Sequence, residues 1–142
     1  MLVISDKKIK EQDLIKAVEN PAAGAIATFN GVVRNNANGK EVVRMEYEAH
    51  KEMAGIILEK LAEETKAKYS ILDIAIQHRT GMLEIGESSV MIAVSSAHRK
   101  AAFEACKYAI DRLKETLPVW KKEYFKDGSA WVEGTAVKTN TT

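Results

Sequence analysis

Three groups of basic residues carry the chemistry this chain can do. The first is His98-Arg99, which follows the apolar run Val90-Met91-Ile92-Ala93-Val94 and the pair Ser95-Ser96. The run reads as a buried strand, and Ser96 is placed to cap a helix. A histidine and an arginine therefore stand where a strand hands over to a helix. Free backbone N–H groups and the helix dipole favour an anion at such a junction. A cation there opposes the dipole, so either an anion sits beside it or the pair is simply solvated. The second group is Lys114, in the last turn of the same helix, with Lys121-Lys122 just beyond Pro118. Lys114 is favoured there by the dipole alone. Because Pro118 turns the chain back, one of the two later lysines can approach it. Neighbouring ammonium groups promote loss of a proton from one of them, which suits a lysine to proton transfer. In a strand Lys121 and Lys122 point to opposite faces, so only one of them meets such a site. The third is Arg34, at a strand end before a polar loop, a weak signal by itself.

Other chemistries find little support. His50 and His78 have no Cys or His at ligand spacing, so no metal site is expected. The chain has no phosphate-binding glycine loop and no workable Ser/His/Asp order. Trp120 and Trp131 read as core or interface residues rather than base-stacking platforms. With 21 Lys and Arg against 20 Asp and Glu, the net charge is +1. That balance speaks against a general nucleic-acid or membrane-surface binder, so any anion site is a local concentration of charge. The one cysteine, Cys106, allows no intrachain disulfide and fits a reducing compartment. The first residues turn polar too soon for a signal peptide, and no apolar run is long enough to span a bilayer. Cytoplasm is the expected location.

The elements that must hold these residues follow from periodicity. The 142 residues suit one domain. Leu2-Val3-Ile4 predicts a strand, and Asp6 is placed to cap a helix over 9–18 that Asn20-Pro21 ends. Residues 24–34 predict a long strand whose two glycines suggest a bulge or a close backbone approach. Asn35-Asn36-Ala37-Asn38-Gly39-Lys40 predicts a flexible hairpin connection. A strand over 41–48 alternates Val43, Met45 and Tyr47 against charged residues. A helix follows over 50–69, with Met53, Ile57, Leu61 and Ala62 as its apolar stripe, widened by Ile56 and Leu58. Residues 71–79 predict a strand, 80–87 a looping connection, and then comes the strand ending at Val94. The helix over 98–117 buries Ala102, Cys106, Ala109, Ile110, Leu113 and Leu117. Strands at 119–125 and 130–133 close the domain, joined by Lys126-Asp127-Gly128-Ser129, and 134–142 reads as a flexible tail. Two long helices on one face of a mainly antiparallel sheet is the natural packing, an α+β layer in a single domain over 1–133.

Taken together, several segments resemble a known family. They are Gly31-Val32-Val33-Arg34-Asn35, His78-Arg79-Thr80-Gly81-Met82-Leu83 with Gly86-Glu87, and Ser96-Ala97-His98-Arg99 with Phe103-Glu104-Ala105. Leu113-Lys114, Pro118-Val119-Trp120-Lys121-Lys122-Glu123 and Trp131-Val132 complete the set. At these spacings, and in this order over nearly the whole chain, they resemble the large, catalytic subunit of molybdopterin synthase. The resemblance implies an α/β hammerhead-type domain with a small β subdomain. It implies a sulfurtransferase that turns cyclic pyranopterin monophosphate (precursor Z) into the dithiolene molybdopterin. No cofactor is implied; sulfur arrives as a thiocarboxylate on the C-terminal Gly-Gly tail of a small ubiquitin-like subunit. The implied assembly is a homodimer of this chain with a small subunit at each end.

Carried onto this sequence, Lys114 and Lys121 are the implied catalytic residues. Val32, Val33, Arg34, His98, Arg99, Lys122 and Glu123 join them in binding substrate. After Trp131-Val132-Glu133 the chain departs from the pattern, since some relatives carry a further arginine where Gly134-Thr135 follow here. Geometry adds one inference. His98 and Lys114 are sixteen positions apart on one helix, which at the α-helical rise is about 24 Å. A small pterin cannot touch both within one chain, so a single site using both must be shared across a dimer. The competing expectations are a non-catalytic dimeric module that binds an anionic regulator, and a pure assembly scaffold.

Overall fold

The computed structural model describes residues 1–134. Its elements are β1 (Leu2–Ser5), α1 (Glu11–Val18), β2 (Ala25–Val32), β3 (Asn36–Ala37), β4 (Lys40–Ala49) and α2 (Lys51–Lys68). They continue with β5 (Asp73–Arg79), β6 (Gly81–Glu84), β7 (Ser88–Ser96), α3 (Arg99–Thr116), β8 (Val119–Phe125) and β9 (Ala130–Gly134). Of the expected tail, Gly134 closes β9 and 135–142 lie outside the described residues.

Two sheets divide the work. The first runs β1-β5-β7-β2, with β1 parallel to β5 and the other pairs antiparallel. Ile74, Ile76, Val90, Ile92 and Val94 point to one face of it, where they meet Leu58 and Leu61 of α2 and Ala102, Ala105, Ala109 and Leu113 of α3. Each fully buried Leu, Ile or Val there contributes about 1.5–3 kcal/mol. The intervening residues Ala75, Met91 and Ala93 face the other way, against Leu14 and Val18 of α1. The two long helices thus share one face, as expected, and the short α1 covers part of the other. The second sheet runs β3-β4-β8-β9, with β6 on the opposite edge of β4 from β8. It is the small β unit, with its own cluster of Val33, Met45 and Leu83.

Several local expectations shift. Residues 80–87 are not merely a loop: Gly81, at φ 90°, breaks the chain from β5, and Gly81–Glu84 then pairs with β4. The hairpin at 35–40 is tight, with Asn38 and Gly39 both at positive φ between β3 and β4, the geometry of a two-residue turn that matches strand twist. Register slips by one between Val42 and Arg44, so Val42 is buried in place of Val43. Asp6 does not cap α1; its N-cap is Lys10, without a side-chain bond. The buried stripe of α2 is Ala54, Leu58, Leu61, Ala62 and Thr65, while Met53 and Ile56 are about half exposed. The small Ala54 lets the helix approach closely, and Thr65 is admitted because its hydroxyl donates to the Leu61 carbonyl. The stripe of α3 is the expected one.

Both glycine expectations for the long strand hold. A Cβ on Gly24 would collide with the Ala97 carbonyl oxygen, and a register shift falls between Gly31 and Val32.

Candidate active site

The C-terminal end of α3 builds the centre of the site. Leu117 ends the helix, its N–H bonded to the Leu113 carbonyl, and Pro118 then cannot continue it. The Pro118 carbonyl accepts from the His50 N–H, which fixes the reversal against the start of α2. β8 runs back antiparallel to β4, and one register row crosses the second sheet: Gly81, Tyr47, Lys121 and Glu133. Residues in such a row share a face. Tyr47, Lys121 and Glu133 therefore look the same way, toward Lys114 on the last turn of α3. The result is a cavity of about 260 Å³ lined by these four residues together with His78, Ser89 and Trp120.

A second cavity, about 290 Å³, lies alongside and holds Arg34, Asn36, Asn38, Met45 and Glu123. Lys121 and Glu133 border both, so the two form one groove. Glu123, two residues along the strand from Lys121 and 3.9 Å from its ammonium, is almost fully buried. It holds the lysine between the two cavities.

His78 is the group that sequence reading set aside. It lies at the end of β5, on the same face as Ile74 and Ile76, and is 5% exposed. Its Nδ1 is 2.9 Å from the Arg79 carbonyl oxygen, and its ring meets Tyr47 edge-on at 5.3 Å. Burial pushes its pKa down from 6.5 to about 4; the nearby Lys114 charge adds to this, and the carbonyl bond opposes it. Alternation along β5 was the available signal, since it puts this histidine in line with two core isoleucines.

The structure thus brings Lys114 and Lys121 to one cavity and connects Arg34 and Glu123 to it. It does not bring in the other named residues. His98 and Arg99 are exposed at the far end of α3. Ser96 is not the cap there: His98 is the N-cap, without a side-chain bond, and the Ser96 hydroxyl donates to the His98 carbonyl. Lys122 falls on the opposite face of β8, paired in register with Glu46 and over the Tyr124 ring at 5.0 Å. Val32 is exposed at the end of β2, and Val33 is buried against Met45 and Leu83, where it anchors the chain before Arg34. Among the described residues no group of three or more His, Cys, Asp or Glu is placed to hold a metal ion. No helix among them is long and apolar enough to cross a membrane.

Residues 4–116 match the model of the MoaE protein family. The chain belongs to the MoaE protein family. Within it, the chain is 50% identical over 126 residues to the molybdopterin synthase catalytic subunit of Thermoplasma volcanium, covering 89% of this chain and 92% of that one. It is also 50% identical over 129 residues to the catalytic subunit of Bacillus subtilis, covering 91% and 82%. The X-ray structure of molybdopterin synthase from Staphylococcus aureus matches with a TM-score of 0.87 at 37% identity, over 92% of this chain and 95% of that one. The MoaE fold is thus the α+β arrangement described above, and the chain is a homologue of catalytic subunits that act in molybdopterin synthesis.

Proposed function

We propose that this chain is a sulfurtransferase. It moves sulfur from the C-terminal thiocarboxylate of a small ubiquitin-like subunit onto cyclic pyranopterin monophosphate, precursor Z, to build the molybdopterin dithiolene. The observation that carries this reading is the convergence of Lys114 and Lys121 on one cavity, in a groove that reaches Arg34. Both reactants are anions, a thiocarboxylate and a cyclic phosphate. Cationic side chains in a partly enclosed groove attract them and stabilise negative charge that develops during transfer. Each sulfur moved forms a C–S bond to a pterin side-chain carbon as a C–O bond there breaks and its oxygen leaves protonated; water then cleaves the acyl–sulfur bond, which leaves a carboxylate on the donor tail, and the dithiolene takes two such transfers. Lys114 serves the acyl end and Lys121 the pterin, where proton transfer is needed. Arg34 contributes charge to the groove, Glu123 steadies Lys121, and Val33 anchors the chain before Arg34, while Lys122 on the other face of β8 and Val32 at the end of β2 lie outside the groove.

The site is completed by a second copy of the chain. His98 and Arg99 of one subunit bind the phosphate beside Lys114 and Lys121 of the other. Exposed Ile26 and Phe103, near the His98 end, give that surface an apolar component suited to a partner copy. No resident cofactor is needed, because the sulfur comes in on the small subunit. A cytoplasmic location suits the single reduced thiol of Cys106.

The test is reconstitution of the purified chain with thiocarboxylated small subunit and precursor Z. Formation of dithiolene product is expected. A folded, intact complex that makes none overturns the assignment.

A further inference from the structure

Arg34 lines the groove from an exposed stretch of backbone, and the chain on either side of it is pinned. The β2–β7 ladder slips between Gly31 and Val32 and ends at the pair Val32 and Ser88. Past that point two bonds hold the chain. The Val33 N–H donates to the Glu87 carbonyl at 3.0 Å, and the Val33 carbonyl accepts from the Gly86 N–H at 2.7 Å. Beyond Arg34, the Asn35 carbonyl accepts from the Val42 N–H at 2.8 Å. The turn 84–87 that grips Val33 is closed by one side chain. The Glu87 N–H donates to the Glu84 carbonyl, and the Glu87 carboxylate accepts the Glu84 N–H in return at 2.8 Å. Its other oxygen accepts from Arg79 Nη1 at 3.0 Å, while Arg79 Nε donates to the Asp6 carbonyl at 3.3 Å. Lys8 adds a second cation 3.6 Å from the same oxygen. The Arg79 and Glu87 side chains are only 11% and 23% exposed, so water screens them less than an open surface pair.

Resting on the sulfurtransferase reading, we propose that Glu87 is a positioning residue: paired with Arg79 and closing the 84–87 turn, it holds Val33 and so aims the Arg34 guanidinium into the groove that takes the anionic pterin. The apolar cluster of Val33, Met45 and Leu83 fixes where Val33 lies. It does not fix how the backbone is turned, because apolar contacts have no direction. The two hydrogen bonds do, and both go to Gly86 and Glu87. A loosened turn is therefore felt at Val33, and the long side chain of the next residue swings with it. The Glu87 carboxylate suits this task because one oxygen serves the turn and the other serves Arg79, whose two nitrogens tie the turn to the segment after β1.

The test uses the reconstituted complex, after wild-type protein has been shown to make product. Glu87→Ala is expected to raise KM for precursor Z by about 10-fold, with kcat and KM for the thiocarboxylated subunit little changed. Glu87→Gln keeps an acceptor for the Glu84 N–H and for Arg79, and recovers most of that KM. In an Arg34→Ala background, Glu87→Ala adds little, because a residue that acts through Arg34 has nothing left to aim. An unmoved KM, a Gln variant no better than Ala, or effects of Arg34→Ala and Glu87→Ala that simply multiply overturn the proposal. So does a fall in kcat alone, which is what a smaller folded fraction gives. Hydrogen exchange reads the grip without the reaction: the Val33 amide in Glu87→Ala is expected to exchange about 10-fold faster than in wild type. Unchanged Val33 exchange overturns the proposal. If Glu87→Ala does not fold, Arg79→Met, which removes the cation and leaves the carboxylate on the Glu84 N–H, takes its place with the same expectations. Failure of wild-type protein to make product overturns the sulfurtransferase reading instead, and hydrogen exchange still decides whether Glu87 holds Val33.

Discussion

His98 and Lys114 occupy the two ends of one straight element: His98 is the N-cap of α3, and Lys114 lies in its last turn. The separation of about 24 Å follows from the helical rise alone. Lys114 shares its cavity with Lys121, and a groove runs on from there to Arg34, while His98 lines neither cavity among the described residues. On the proposed function, a single chain therefore carries two half-sites at opposite ends of α3.

The two lysines of the cavity and the one across the strand are expected to behave differently. Lys114→Met and Lys121→Met are each expected to lower kcat by about 100-fold or more, since on the proposed function each removes a charge that stabilises developing negative charge. Lys122→Met, on the other face of β8, costs less than either. Steady-state kinetics of the three variants in the reconstituted complex checks the order.

Burial of His78 predicts acid-sensitive stability. In the unfolded chain its ring takes up a proton as pH falls through about 6.5, whereas in the native state it stays neutral down to about 4. Between those values the unfolded state binds more protons, so stability is intact above the window and drains away on acidification. From pH 7 to pH 5 the loss from this one group is about 2 kcal/mol. Urea unfolding at the two pH values checks it: His78→Phe is expected to lose that much less than wild type.

Gly24 is fixed by a backbone contact. A Cβ built on it would run into the Ala97 carbonyl oxygen, which leaves no room for a methyl group. Gly24→Ala is expected to destabilise the protein by about 1–3 kcal/mol, as overpacking does elsewhere. Denaturant unfolding measures it. Because the Gly24 N–H also bonds to the Ser96 carbonyl, the same variant disturbs the entry to His98.

Cys106 is expected to take no part in moving sulfur. It lies on the buried face of α3, and burial pushes its thiol up to about 11. The thiolate, the reactive form, is scarce at neutral pH. Cys106→Ala is expected to retain sulfur transfer, and native protein to react with a thiol reagent far more slowly than protein in denaturant.

Much of this was legible in the sequence because it depends on local rules. The strand into Ser95-Ser96, the stripe of α3 and the turn at Pro118 follow from periodicity and proline chemistry, and with them the opposite facing of Lys121 and Lys122. What sequence could not supply was choice between alternatives that both satisfy the period. In α2 two stripes were available, and close packing selected the one with Ala54 and Thr65. At Val42 an extra residue reversed the alternation. Gly81–Glu84 is a strand only because β4 offers it an edge, residues Arg44 to Tyr47, far back along the chain. His78 escaped notice for a related reason. Its importance lies in the Tyr47, Lys114 and Lys121 side chains around it, which three other elements bring there.

The most direct test of a site built from two chains is to mix His98→Ala and Lys114→Ala proteins, each inactive by itself, and to assay sulfur transfer after subunit exchange. In a shared site the mixed dimer has one doubly altered site and one intact site. Random exchange then restores about a quarter of wild-type activity, by counting over an isologous dimer. Mixed dimers that form but recover no activity contradict the account.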